Sequence, residues 1–161
     1  MVDELELDRQ LCFALHAASR ATTAVYRPVL DELGLTYPQY LAMLVLWERD
    51  GISVSDLGAR LQLDSGTLSP LLKRLAGLGL VERHRSSSDE RRVVVDLTEA
   101  GRGLRERAAA VPRRLAAALN MPLEELVALR ETLVRLTDSL HDFALHDFTL
   151  QDPEHREAQQ P

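Results

Sequence analysis

Residues 57–101 read "LGARLQLDSGTLSPLLKRLAGLGLVERHRSSSDERRVVVDLTEAG". The first half sets Leu57, Leu61 and Leu63, then Leu68, Leu71, Leu72, Leu75 and Leu78, at the three- and four-residue steps of two short helices. Ser53 or Ser55 offers a cap for the first helix and Asp64 or Ser65 for the second, with a turn of about three residues between them. Two short helices joined in this way make a helix-turn-helix. Past Gly77 and Gly79 the period changes to two β-prone runs, "LVERHR" and "RRVVVDL", linked by the polar, turn-forming "SSSDE". That is a hairpin, or wing, and the region from about 38 to 97 is predicted to be a winged helix-turn-helix.

Upstream, Leu11, Leu15, Ala18, Thr22, Val25, Val29 and Leu33 lie on one face of a long amphipathic helix over about 8–33, which Pro28 is expected to kink or restart. Gly34 suits the position after a helix end, and Thr36 with Gln39 fits a capping box that opens a helix from about Pro38 to Arg49. Downstream, Thr98 caps a helix running to about Leu119, bent near Pro112. Pro122 opens a last helix with Leu126, Leu129, Leu133, Leu136, Leu140 and Phe143 on its apolar face. These long stripes have no partner within the helix-turn-helix. Pairing the segments at about 8–33 and 98–146 between two chains buries them, so a homodimer is expected. The fold class is mainly α with a small β-hairpin wing, in a single domain over 1–150. Residues 151–161, "QDPEHREAQQP", form a polar tail expected to be disordered.

The length of 161 residues, 45% of them hydrophobic, suffices for one sizeable core. The longest apolar run, Tyr40–Trp47, falls far short of the roughly 20 residues that span a bilayer, and the acidic start "MVDELELDRQ" lacks the features of a secretory signal. A cytoplasmic protein without a membrane partner is expected. With Cys12 the sole cysteine, an intramolecular disulfide and a zinc site built on cysteine pairs are excluded. The net charge of −6 is uneven: residues 51–92 carry seven Arg or Lys against five Asp or Glu, while both flanks are acidic. A local positive footprint on an acidic chain suits nucleic acid, although a solvated mixed-charge face gives the same count.

The outward positions of the second short helix sharpen the first option. Ser65, Gly66, Thr67, Ser69 and Pro70 are small or polar, and Lys73 and Arg74 follow, as in a helix whose N-terminal end enters a major groove. The wing adds Arg83, His84, Arg85, Arg91 and Arg92 around a tight turn, where a narrow minor groove and its phosphates can accept them. A winged helix that binds only protein is the competing reading.

Cys12 stands in "LCFALH", and a lone cysteine on an apolar stripe is in general a small buried hydrophobe. His16, four residues on, either faces Cys12 and supports its thiolate or lies at the surface. His141 and His146 in "HDFALHDF" are about 140° apart on a helix, so no metal site is expected there, and Phe143 and Phe148 read as dimer packing. Tyr40 and Trp47 read as core, and no cofactor is expected.

Together, "LCFALHAASR", "LTYPQYLAMLVLWE" and residues 57–101 resemble the MarR family of dimeric winged-helix repressors over about residues 8–145. "LCF", "TYPQYL" and "LDSGTLSPLLKR" are similar to its organic hydroperoxide-sensing branch, in a one-cysteine form. The resemblance implies that Asp89 and Arg91 shape and aim the wing, with Arg91 reaching the minor groove, while Ser65, Gly66, Thr67 and Pro70 lie at the major-groove surface. It further implies that Cys12 is the sensor and that Tyr26 and Tyr37 hydrogen-bond its sulfur, favouring the charged form. Cys12 and Tyr26 are fourteen residues apart, about 21 Å along a straight helix, so Tyr26 is expected to serve the Cys12 of the other subunit. One departure stands out: His16 occupies the place, one turn after the cysteine, where this branch leads one to expect a further tyrosine.

The expected function is that of a repressor of an inverted-repeat operator on double-stranded DNA. An organic hydroperoxide oxidises Cys12 to a sulfenic acid, a low-molecular-weight thiol converts it to a mixed disulfide, and the operator is released. The runner-up is a repressor of the same fold released by a small aromatic ligand, with Cys12 only structural. An enzyme is not expected, because no thioredoxin-like pattern surrounds Cys12.

Overall fold

In the computed structural model, which describes residues 5–86, 89 and 91–150 with side chains to residue 144, helix α1 (Leu11–Leu33) runs through Pro28 without starting a new segment. Pro28 has no N–H for the carbonyl of Ala24, but both residues are exposed, so water can satisfy it. The helix stops at Gly34, whose φ of 69° is left-handed. The N–H groups of Gly34 and Leu35 return to the carbonyls of Asp31 and Leu30, a Schellman ending that buries Leu35.

Helix α2 (Tyr37–Glu48) opens with the N–H of Thr36 on Gln39 Oε1 at 2.8 Å. It is apolar on most sides and forms the centre of the core, with Ala42, Met43 and Leu46 inaccessible. Of the alternative caps, Ser53 opens α3 (Val54–Leu61) and Asp64 opens α4 (Ser65–Gly77), each accepting an N–H three residues on. Left-handed Gln62 (φ 55°) turns the chain between them. Leu57 of α3 and Leu68, Leu72 and Leu75 of α4 seal the helix-turn-helix onto α2.

The wing strands are β2 (Val81–Arg85) and β3 (Val93–Leu97), paired antiparallel from Val81 opposite Leu97 to Arg85 opposite Val93. A two-residue strand, β1 (Ile52–Ser53), pairs with the other edge of β3 and gives the order β1-β3-β2. Such a short piece leaves no alternation in the sequence to find.

Thr98 caps the next helix as expected, but the helix divides at Ala109 into α5 (Glu99–Ala108) and α6 (Ala110–Leu119). The proline ring of residue 112 conflicts with a helical carbonyl four residues back, at Ala108, so the break precedes the proline. Gly101 in the first turn of α5 has no room for a Cβ, which would run into the backbone carbonyl of Leu80. Asp50 ties the same region together: its Oδ1 accepts the N–H of Leu97 at 2.7 Å and of Gly51 at 3.0 Å, and its Oδ2 accepts Arg102 at 2.7 Å.

These elements, except the last residue of α6, belong to one compact unit, Met1–Ala118; the second, Leu119–Pro161, contains α7 (Leu123–Leu150). On α7, Leu129, Leu133, Leu140 and Phe143 are exposed, and at the start of the chain so are Leu5, Leu7, Leu11 and Phe13. The side chains of His146 and Phe148 and the tail 151–161 lie outside the described residues. Among the described residues no helix is long and apolar enough to cross a membrane, and no three metal-binding side chains gather.

Candidate nucleic-acid interface and thiol site

The second helix of the helix-turn-helix, α4, presents Ser65, Gly66, Thr67, Ser69, Pro70, Lys73 and Arg74 to solvent while its leucines face inward. Its N-terminus is held by Asp64, which takes the N–H of Thr67 on Oδ1 and the Thr67 hydroxyl on Oδ2, both at 2.9 Å. These bonds hold the Asp64 carboxyl below its usual range. Gly66 suits this cap, because a Cβ there would come within 3.0 Å of Asp64 Oδ1. The exposed end of α4 is therefore rigid and small, with its cations one to two turns along.

At the wing, Asp89 Oδ1 accepts the N–H of Arg91 at 3.0 Å, and the Asp89 carbonyl accepts the N–H of Arg92 at 2.9 Å. The carbonyl of Arg92 receives the N–H of Ser86 at 2.8 Å, closing the turn. Arg83, His84, Arg85 and Arg91 are exposed. His84 Nδ1 lies 3.0 Å from Asp96 Oδ2, a buried oxygen with no other partner among the described residues, and the bond forms when that nitrogen carries a proton.

Arg92, expected with the other wing arginines at the minor groove and its phosphates, also makes contacts within the fold. Its guanidinium turns back into the fold, donating to Asp56 Oδ2 at 2.9 Å and to Ser53 Oγ at 3.2 Å. Asp56, to which the sequence alone gave no role, is therefore a wing residue in three dimensions. Thirty-six residues separate the two, and one sequence carries no signal of so distant a pair.

The thiol region is split. Cys12 is exposed in the first turn of α1, with Leu11 and Phe13 beside it 60% and 42% accessible and His16 exposed one turn on. Among the described residues no apolar surround encloses the sulfur. Tyr26 and Tyr37 are brought together, with ring centroids 4.9 Å apart, and Tyr40 joins them at 6.2 Å from Tyr26. Burial, with the neighbouring phenols of Tyr37 and Tyr40, pushes the Tyr26 hydroxyl up to about 12, so it keeps its proton and remains a donor. Because α1 is one uninterrupted helix, Cys12 and Tyr26 are about 21 Å apart along its axis. Tyr40 also lines a cleft of about 210 Å³ with Trp47 and Arg105.

Residues 24–107 match the family model described as transcriptional regulator SarA/Rot. The chain is 46% identical over 139 residues to the organic hydroperoxide resistance transcriptional regulator of Bacillus subtilis (strain 168), covering 86% of this chain and 95% of that one. Among solved structures it is similar to reduced AbfR bound to DNA, with 35% identity, a TM-score of 0.70, and 86% and 96% of the two chains covered. Overoxidized AbfR bound to DNA gives 34%, 0.69, and 84% and 96%; AbfR is a protein of Staphylococcus epidermidis.

Proposed function

Because the chain belongs to the MarR-type winged-helix transcriptional regulators, in the branch of the organic hydroperoxide resistance regulators, we propose that this DNA-binding regulator is a homodimeric repressor released from its operator by oxidation of Cys12. In the bound form α4 lies in the major groove through Ser65, Gly66, Thr67, Ser69 and Pro70, with Lys73, Arg74 and Arg85 on the backbone and Arg91 in the minor groove. Two-fold symmetry sets the half-sites of an inverted repeat about one helical turn, roughly 34 Å, apart.

One observation carries the sensing mechanism: Tyr26 and Tyr37 stack into a pair of phenols that the chain's sole thiol, far along the same helix, cannot reach. The Tyr26 phenol, which keeps its proton, is suited to hold a thiolate, with the Tyr37 phenol beside it, and in a dimer the thiolate comes from the partner subunit. The thiolate attacks the distal oxygen of an alkyl hydroperoxide; an S–O bond forms, the O–O bond breaks, and the alkoxide leaves and is protonated to an alcohol. The resulting sulfenic acid has no second cysteine in the chain. A small cellular thiol therefore attacks the sulfur, forming an S–S bond and releasing water. The added bulk at the dimer interface changes the spacing of the two α4 helices, and the operator is released.

The test is operator binding by wild type and Cys12→Ser, with and without an organic hydroperoxide and a small thiol. Wild type is expected to release DNA and Cys12→Ser to hold it; equal behaviour of the two proteins overturns the reading. The cleft beside Tyr40, Trp47 and Arg105 favours a second reading, release by a small aromatic ligand. That ligand would release both proteins without any peroxide.

A further inference from the structure

The contact of Arg92 with the helix-turn-helix joins two parts that both face the DNA in the reading above. We propose that Arg92 is a positioning residue for DNA binding: with Asp56 it braces the wing against the start of α3, so that wing engagement depends on a carboxylate outside the interface.

Three features carry this. First, the backbone of Arg92 is held at both ends, by Asp89 and Ser86, so its side chain leaves the wing base in a fixed direction. Second, the partner is built to receive it. Ser53 Oγ donates to Asp56 Oδ2 at 2.6 Å, accepts the Asp56 N–H at 3.1 Å and lies 3.0 Å from Ser55 Oγ, which orients the carboxylate that Arg92 meets. Ser53 is only 6% exposed and is paired with Val94 through the β1–β3 ladder, so the receiving end is part of the sheet. Third, a guanidinium that donates to both Asp56 and Ser53 is less free to neutralise a phosphate, whereas Arg91, one residue earlier, is exposed at the tip.

The Arg92 and Asp56 side chains are 53% and 54% exposed, and pairs of that kind contribute little to stability. The effect of losing the brace is therefore on where the wing points. A loosened wing is expected to weaken operator binding roughly three- to fivefold per subunit, about tenfold or more for a dimer that engages both wings.

The proposal rests on the wing touching DNA, and the experiment separates the two claims. Operator affinity of the full-length protein is measured against salt for Asp56→Ala, Asp56→Glu, Arg92→Ala, the Asp56→Ala/Arg92→Ala double variant and Arg91→Ala, with thermal midpoints alongside. Asp56→Ala and Arg92→Ala should each lose about tenfold, with small shifts in midpoint and the salt slope unchanged. The double variant should lose no more than either, and Asp56→Glu should keep near wild-type affinity. Tighter or unchanged binding by Asp56→Ala overturns the brace, as does a loss confined to Arg92→Ala with the slope reduced by about one per subunit, the mark of a phosphate contact. If Arg91→Ala weakens binding while both brace variants are silent, only the brace fails. If all three are silent, the wing lies outside the interface and both claims fail.

Discussion

The rings of Tyr26 and Tyr37 lie 4.9 Å apart with their planes inclined by 34°, while Cys12, on the same helix as Tyr26, is about 21 Å away along the axis. If the proposed sensing site is made from this thiol and these phenols, it is shared between subunits. Mixed dimers of Cys12→Ser with Tyr26→Phe/Tyr37→Phe test this directly. Shared sites leave such a dimer one intact thiol-phenol set, so half of the thiols that remain in an equimolar mixture of variants should retain wild-type reactivity only where the two variants have paired. If each site lay within one chain, mixing would restore nothing. Stopped-flow oxidation of purified mixed dimers distinguishes these outcomes.

The Tyr26 hydroxyl, raised to about 12 by burial and by its phenol neighbours, links folding to alkaline pH. Its folded value lies above the ordinary tyrosine value near 10, so the native state binds the proton more tightly than the unfolded chain does. The associated stability is fully present below about pH 10 and is lost as pH rises towards 12. In an absorbance titration at alkaline pH, Tyr26 should be among the last phenols to ionise, and Tyr26→Phe should remove that late step.

Asp50 gives the opposite dependence. Its partial burial raises the carboxyl, but the N–H of Leu97, the Arg102 guanidinium and the N–H of Gly51 together outweigh burial and hold it below its ordinary value. The stability it supplies is present above about pH 4, the unfolded carboxyl value, and is lost as pH falls through the lower folded value. Asp50→Ala should cost ~1–2 kcal/mol at neutral pH by leaving the Leu97 N–H without its acceptor. Urea unfolding between pH 3 and 7 should show a flatter acid limb in the variant.

Gly101→Ala places a Cβ against the carbonyl of Leu80, where the opposing atom is backbone and cannot swing aside. A loss of ~1–3 kcal/mol is expected from the forced shift. Gly103→Ala, two residues on in the same helix and with open space for its Cβ, is the control that should hold or gain stability. Equal midpoints for the two variants would place the cost elsewhere.

What could be read in the sequence was local. Ser53 and Asp64 each stand among two candidate caps in the sequence because a side-chain oxygen three residues before an N–H is a short-range signal, and the β-prone runs on either side of "SSSDE" mark the wing in the same way. The exposed positions of α4 followed from where its leucines had to point. Features set by distant partners were not legible. The pairing of β1 depends on β3, forty-one residues away, and the direction of the Arg92 side chain depends on Asp56. Pro28 reads locally as a kink or a restart; the helix does not restart there, and that tolerance depends on the freed carbonyl lying on an exposed face.

Trp47 is the sole tryptophan of the chain, and its indole N–H donates to the carbonyl of Gly101 at 2.9 Å, across the joint between α2 and α5. Tyr40 stands beside it, 6.4 Å ring to ring, and leads on to Tyr26. The molecule thus contains an unlabelled optical reporter between its tyrosine cluster and the helix that follows the wing. A rearrangement passing from one to the other must disturb the indole's bond and shift its emission.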